Sequence, residues 1–467
     1  MQKYLFFITL GVLLLLLISE PLYLKHFHIP VFDVSVLDGE LVIFTGTVAD
    51  SFKIIDNGAV VVSGNDIVWV GENSQLVKSK GVVVNTDEYI YPGFVETHNH
   101  PDYNFLGEWR IGRTFSNRYE WSRTKEYKEL TANRSRMFRE NRDTRIMVMR
   151  YAEAKAMIGG ANMIQGAPRL RGIADLVRNM DSYNMIKEDT IRTSIFPLQP
   201  REITRAETVI EAMADRRASH FVIHLGEGID EGSKQEFYDF EKTGLLRKET
   251  LIIHGTGFGK EEFDIMAEKE MNLIWSPKSN YICYGTSTRA DIAHQSGVTI
   301  ALAPDWSLTG SDNMLEEIQF AEEVNKELFG SYFSHKDLFD MITINAANIT
   351  GFGDYLGSID KGKKADFVFT QKKHSNPYSS LLENDLSDIM LVVIDGIALY
   401  GQPERISILS GNYVSDKLTV NGVEKSIIVK TDLDDVPLSD MTLREIVDTI
   451  AQYYPEVAPL ATDVILH

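Results

Sequence analysis

Four histidines, one glutamate and one aspartate carry the chemical signal of this chain. His98 and His100 form a His-x-His pair in Pro92-Gly93-Phe94-Val95-Glu96-Thr97-His98-Asn99-His100. Side chains two apart on a strand face the same side, so both imidazoles can approach one metal ion. His224 closes the apolar run His220-Phe221-Val222-Ile223-His224, and Glu227 follows three residues later. His254 closes Leu251-Ile252-Ile253-His254, and Asp305 closes Thr299-Ile300-Ala301-Leu302-Ala303-Pro304-Asp305. Imidazole nitrogens and carboxylate oxygens bind divalent metals, and the same groups move protons. Taken singly, each residue could merely cap a strand or satisfy a local backbone group. Taken together they stand at the exits of four apolar strands, which converge on one rim if the strands close a barrel. The other histidines carry no such signal: His26, His28, His335, His374 and His467 lie in polar or terminal stretches, His220 starts a strand, and His294 falls on an expected helix.

The elements that must position these groups are legible as alternating runs. Strand-like stretches at 91–97, 161–165, 193–198, 220–225, 251–254, 273–275 and 298–303 alternate with helical stretches such as 174–180, 207–218, 261–270 and 288–296. Such alternation implies a parallel sheet. Seven strands are identifiable, and an eighth must lie within 102–156 or near 166–177. Residues 91–352 match the ~250 residues of an α/β barrel of eight strands. The flanks, 26–90 and 353–402, are β-rich and punctuated by turn pairs such as Asn57-Gly58 and Asp395-Gly396. The expected fold is therefore α/β, a (β/α)8 TIM-like barrel inserted in a small β-sandwich built from both flanks. Residues 403–467 read as a C-terminal extension with a hairpin at Asn421-Gly422. It ends in an amphipathic helix over 441–454 bearing Leu443, Ile446, Val447 and Ile450.

Composition narrows the function classes. The chain has 467 residues and a formal net charge of −20, a field that repels phosphate backbones and disfavours nucleic-acid binding. Cys283 is the only cysteine, which excludes an intrachain disulfide and a cysteine-based zinc site. Residues 4–18 are almost wholly apolar, too short for the ~20 residues of a membrane span but suited to a signal-peptide core. Residues 1–25 are therefore read as an export signal or uncleaved anchor. The protein is expected to be exported or membrane-anchored, touching membrane through this segment alone.

At this point the pattern resembles the amidohydrolase superfamily, within it the branch of cytosine deaminase, guanine deaminase and the triazine hydrolases. The resemblance covers about residues 30–405. It is carried by the six residues above, by Ser276-Pro277-Lys278-Ser279-Asn280, and by Asn345-Ala346-Ala347-Asn348-Ile349-Thr350-Gly351. The stretch from Leu356-Gly357-Ser358-Ile359 to Lys363-Lys364-Ala365-Asp366 completes it. It implies that His98, His100, His224 and Asp305 hold one divalent metal, Zn2+ or alternatively Fe2+. No lysine ends the fourth strand, which favours a mononuclear site. It further implies hydrolysis by a metal-activated water. His254 would orient that water, Asp305 would accept its proton, and Glu227 would carry a proton to a ring nitrogen and to the leaving group. Gln199 and Asn280 are the expected substrate contacts.

The leading expectation is a metal-dependent hydrolase of a non-peptide C–N bond in a heterocyclic or cyclic amidine substrate, deaminase-like. A cyclic-amide hydrolase resembling imidazolonepropionase has the same ligand layout. A catalytically inactive scaffold of the same fold is the reading from another class, and pure metal storage has no use for Glu227. The expected partner is a small molecule, with a homo-oligomer as a further expectation.

Overall fold

The structure is a computed structural model. It describes residues 32–37, 39–167, 176–181, 191–194, 204, 207, 208, 211, 220–410, 413–429, 438, 440–457 and 464–466. The N-terminal segment 1–25 and Gln199 lie outside the described residues.

The first flank supplies β1 (Phe32–Asp33), β2 (Leu41–Ala49), β3 (Ile54–Ser63), β4 (Asp66–Glu72), β5 (Leu76–Val77) and β6 (Val82–Pro92). Among the described residues eight short strands follow, each parallel to its hydrogen-bonded neighbours. They are β7 (Phe94–Val95), β8 (Ala161–Ile164), β9 (Arg178–Asn179), β10 (Ile191–Ser194), β11 (His220–Leu225), β12 (Thr250–His254), β13 (Asn272–Trp275) and β14 (Thr299–Leu302). Their ladders run β7-β8-β9 and β10-β11-β12-β13-β14, in chain order throughout. Beyond the strand ends the first and last approach each other. Asn99 and Asp305 form a parallel bridge, and the His100 amide donates to the Asp305 carbonyl at 2.8 Å.

Alternation along these strands sorts their side chains. Val95, Met163, Met180, Val222, Leu251, Ile253, Ile274 and Ala301 share one inner cluster. Phe94, Phe221, Ile223, Ile252, Leu273, Trp275, Ile300 and Leu302 face outward into a larger core shared with the surrounding elements. The eighth strand is β9, where a helix over 174–180 was expected. Arg178 and Asn179 pair with Met163 and Ile164, so tertiary pairing overrides a local sequence that carries no strand signal.

The second flank gives β15 (Phe367–Thr370), β16 (Ile389–Ile394), β17 (Ile397–Gly401), β18 (Asp416–Val420), β19 (Val423–Ile427) and β20 (Val464–Leu466). The two flanks come together through β6 and β15, in antiparallel register with Phe367 opposite Pro92. They form one sheet of ten strands, ordered β20-β18-β19-β17-β16-β15-β6-β2-β3-β4. Asp395-Gly396 and Asn421-Gly422 close its hairpins with positive φ at both residues of each pair, as a type I′ turn requires. The C-terminal extension thus continues the flanking sheet. Its helix Leu443–Tyr453 packs on the barrel helix Thr144–Ile158 through buried Leu443, Ile446 and Ile450.

Candidate metal centre and substrate cavity

His224 is placed by simple strand parity. Val222 points into the barrel, so His224, two residues on, points the same way at the strand exit. His254 is not placed by parity. Leu251 and Ile253 point inward, so an extended residue 254 would point out. Instead His254 adopts φ 70, and Asp305 adopts φ 65. Left-handed backbone is unfavourable for residues with a Cβ, costing of order 1–3 kcal/mol, and it concentrates at functional sites. His98 and His100 lie just past β7, on either side of the bridge residue Asn99.

The groups converge. Ligand atoms of His98, His224, His254 and Asp305 all lie within 4.8 Å of one another. His98 Nε2 is 3.2 Å and His100 Nε2 3.3 Å from Asp305 Oδ1. The His98 and His224 ring centroids are 4.7 Å apart, and those of His100 and His224 5.4 Å. The aspartate and His98, His224 and His254 are buried. Burial alone would raise the Asp305 pKa, but the imidazoles of His100 and His98 beside it hold it well below the usual carboxylate range. Burial pushes His224 well below the ordinary imidazole value and His254 down to about 3.

These residues fit a divalent ion. The His98 Nε2 is buried without a hydrogen-bond partner, although it sits beside Asp305. Its other nitrogen, Nδ1, lies 3.0 Å from Gln165 Oε1, and Gln165 is itself held by Asp181 at 3.1 Å. With Nδ1–H donating to Gln165, the lone pair falls on Nε2, the form a metal ligand needs. Asp305 Oδ2 accepts from Ser279 Oγ at 2.6 Å, leaving Oδ1 facing the histidines. His254 differs. Its Nδ1 lies 3.0 Å from the Asn280 amide nitrogen, and a donor there leaves the ring proton on Nε2. That tautomer suits a hydrogen-bond donor standing beside the metal better than a ligand of it. The hydroxyl of Thr288 braces the pair, 3.0 Å from Asn280 Oδ1 and 2.7 Å from the His254 carbonyl.

Glu227 stands over this cluster. Tyr284 Oη donates to its Oε1 at 2.8 Å; Arg118 Nη1 and His254 Nε2 lie 3.5 Å and 3.7 Å from its Oε2. Burial raises its pKa, with Arg118 opposing. A cavity of about 230 Å³ opens in front of His100, His224, Glu227, His254 and Asp305. Its outer wall is aromatic. Trp306 packs against Tyr103 at 5.7 Å, Trp121 at 5.6 Å and Tyr127 at 6.0 Å. Trp306, next to Asp305, and the segment that follows the first barrel strand thus supply that wall.

The expected metal and acid–base residues therefore occupy one site. Asn280, expected to touch substrate, is fully buried behind His254. Gln165, Asp181 and Tyr284 were not anticipated. A lone polar residue at a strand end would have been the only signal for Gln165, and Tyr284 sits on the helix Pro277–Tyr284 with none.

The Amidohydrolase family model matches residues 89–399. The chain belongs to the amidohydrolase family, and is a metal-dependent, deaminase-like hydrolase acting on carbon–nitrogen bonds. It is 25% identical over 395 residues to a 5-methylthioadenosine/S-adenosylhomocysteine deaminase of Desulforamulus reducens, covering 73% of this chain and 88% of that one. Among solved structures it resembles the guanine deaminase of Escherichia coli, with a TM-score of 0.62 at 18% identity over 78% of this chain and 99% of the other. An adenosine deaminase from Xanthomonas campestris with bound zinc aligns with a TM-score of 0.59 at 16% identity, covering 79% and 93%. At these identities the structural likeness shows the barrel fold.

Proposed function

We propose that the protein removes an amino group from a planar nitrogen heterocycle, with His98, His100, His224 and Asp305 holding the metal. The observation that carries this reading is Glu227. It is a buried carboxyl, raised in pKa, at the cavity floor and beside the metal cluster. A displacement that needs no proton on the leaving group has no use for such a residue. A divalent ion held there, Zn2+ by its nitrogen-rich donor set with Fe2+ fitting the same donors, supplies Lewis acidity and lowers the pKa of nearby water towards ~7.

The chain's own residues do the rest. The aromatic wall holds a flat ring with its amino-bearing carbon towards Asp305. Asp305 takes a proton from the attacking water. His254 donates through Nε2–H to the oxygen that gains negative charge on the substrate. Glu227 delivers a proton to the ring nitrogen, takes the remaining proton of the hydroxyl added to the carbon and passes it to the departing amine, giving ammonia and the oxo product; the proton left on Asp305 then restores Glu227. The closed floor and aromatic rim keep bulk water from these transfers. The deaminase relatives support this reading.

The test is a panel of heterocyclic amines offered to the zinc-loaded protein, with ammonia and ring absorbance read together. Ammonia with an intact ring is expected. A ring-opened acid from a cyclic amide, with no ammonia from any amine, would replace the reading with cyclic-amide hydrolysis. The apolar run at residues 4–18 supports export or membrane attachment. Fractionation of cells making the full chain tests it, and a wholly cytosolic protein would refute it.

A further inference from the structure

Arg118 is the residue the reaction above leaves unexplained. It opens the short helix Arg118–Trp121 in the segment that overhangs the cavity. That segment is stitched to the β11 exit. The Arg118 amide donates to the Glu227 carbonyl at 3.2 Å, and the Ile229 amide to the Ser116 carbonyl at 2.8 Å. Asn117 bridges to Gly228, and its side chain bonds Asp230. Beneath it the Phe115 amide donates to the Cys283 carbonyl at 2.8 Å. The guanidinium is therefore held on a fixed frame. Its side chain is only 7% exposed, and Nη1 faces Glu227 at 3.5 Å. Nη2 is buried with no hydrogen-bond partner, and Arg118 lines the cavity. Among the described residues lining the cavity it is the one permanently charged cation.

A buried guanidinium N–H without an acceptor is costly, and a site built around one rejects ligands that leave it unpaired. We infer that Arg118 is a specificity-determining residue, whose Nη2 donates to an acceptor oxygen carried by the substrate ring. This rests on the heterocycle-deaminase reading and narrows its substrate class. The preferred rings carry an oxo group or ionised oxygen besides the amino group. Plain aminated rings fill the same aromatic slot but leave Nη2 bare.

Two probe pairs test this: cytosine against 4-aminopyrimidine, and guanine against 2-aminopurine, each pair differing by one exocyclic oxo group and the ring N–H that accompanies it. Affinity is read by equilibrium dialysis on the Glu227→Gln protein, and kcat/KM by ammonia release on the wild type. At least one oxo member is expected to bind tenfold or more tightly than its partner. In Arg118→Met, with Glu227→Gln alongside, that preference should shrink to about twofold. Equal binding within both pairs, binding of none of the four, or a preference that survives Arg118→Met would overturn the inference. If Arg118 served only to hold Glu227, its loss would lower both members of a pair by one common factor and leave their ratio unchanged. Should Arg118→Met fail to fold, the comparison within each pair on the Glu227→Gln protein alone decides. The two readings fail separately. Oxo-selective binding without ammonia sinks the deaminase reading and spares Arg118, whereas ammonia without oxo-selectivity does the reverse.

Discussion

At the scale of single residues, the site is a set of proton and lone-pair assignments fixed by neighbours. Glu227 is expected to act only as an acid–base group, so Glu227→Gln should cut kcat by at least ~100-fold, the lower range of general acid–base contributions, while metal content stays at one ion per chain. Metal analysis alongside turnover checks both halves; full activity in this variant would remove the proton-transfer role. Asn280 sets the tautomer of His254 from 3.0 Å. Asn280→Asp replaces the donor with an acceptor, which draws the ring proton to Nδ1 and strips Nε2 of its donor. A fall of two or more orders of magnitude in kcat is expected, by analogy with the ~10⁴ cost of a wrong tautomer in a serine protease triad. KM should change little. The six chemical residues were legible in the sequence because each ends or closely follows an apolar run. Their helpers Gln165 and Tyr284 act through contacts with residues 67 and 57 positions away, and spacing carries no trace of them.

At the scale of elements, loops and turns do work that strand parity cannot. Gly166 follows Gln165 with φ +94, and an added Cβ would fall 1.8 Å from the Asn99 carbonyl oxygen. Gly166→Ala should push apart the β8 exit and the His98–His100 segment. Loss of stability by more than the ~1 kcal/mol of an ordinary Gly→Ala change is expected, together with weaker metal retention; melting and metal titration measure the two. The helix Met314–Phe329 offers a pH-dependent counterpart. Glu317 is buried within it, bonded by Ser311, and burial pushes its pKa up to about 8. Between its ordinary value near 4.5 and about 8, the folded state keeps a proton that the unfolded chain releases. Stability therefore falls as pH rises through that window, at up to ~1.4 kcal/mol per unit. Melting curves at pH 5 to 8 should slope downward for the wild type and less steeply in Glu317→Gln, where the slope left by Glu96, also raised to about 8, remains.

At the scale of the whole molecule, the barrel and the flanking sheet are pinned at a buried ion cluster. Arg178 on β9 donates to both oxygens of Asp366 at 2.9 Å and to Asp395 at 2.8 Å, and Asn162 on β8 bonds Asp366 at 2.7 Å. The Gly93 amide reaches the Asp366 carbonyl at 3.0 Å, tying the strand that enters the barrel to the one that leaves it. Removing one partner of such a cluster strands a charge in the interior. Arg178→Met is expected to cost about 3–5 kcal/mol, and Arg178→Met with Asp366→Asn should recover part of it. Chemical denaturation of the two variants measures the difference, and equal stability of the single variant and wild type would show the cluster to be energetically idle.

Hydrophobic alternation and turn chemistry are local properties, and so the sequence alone determined the barrel strands with clear apolar runs, the two Asn-Gly and Asp-Gly hairpins, the C-terminal helix and the six residues at the strand exits. The weak strand β9, the left-handed turns at His254 and Asp305, the orientation of the histidine rings and the bare nitrogen of Arg118 were decided by tertiary structure. Each depends on partners far along the chain, whose distance and hydrogen-bond direction exist only once the barrel has closed.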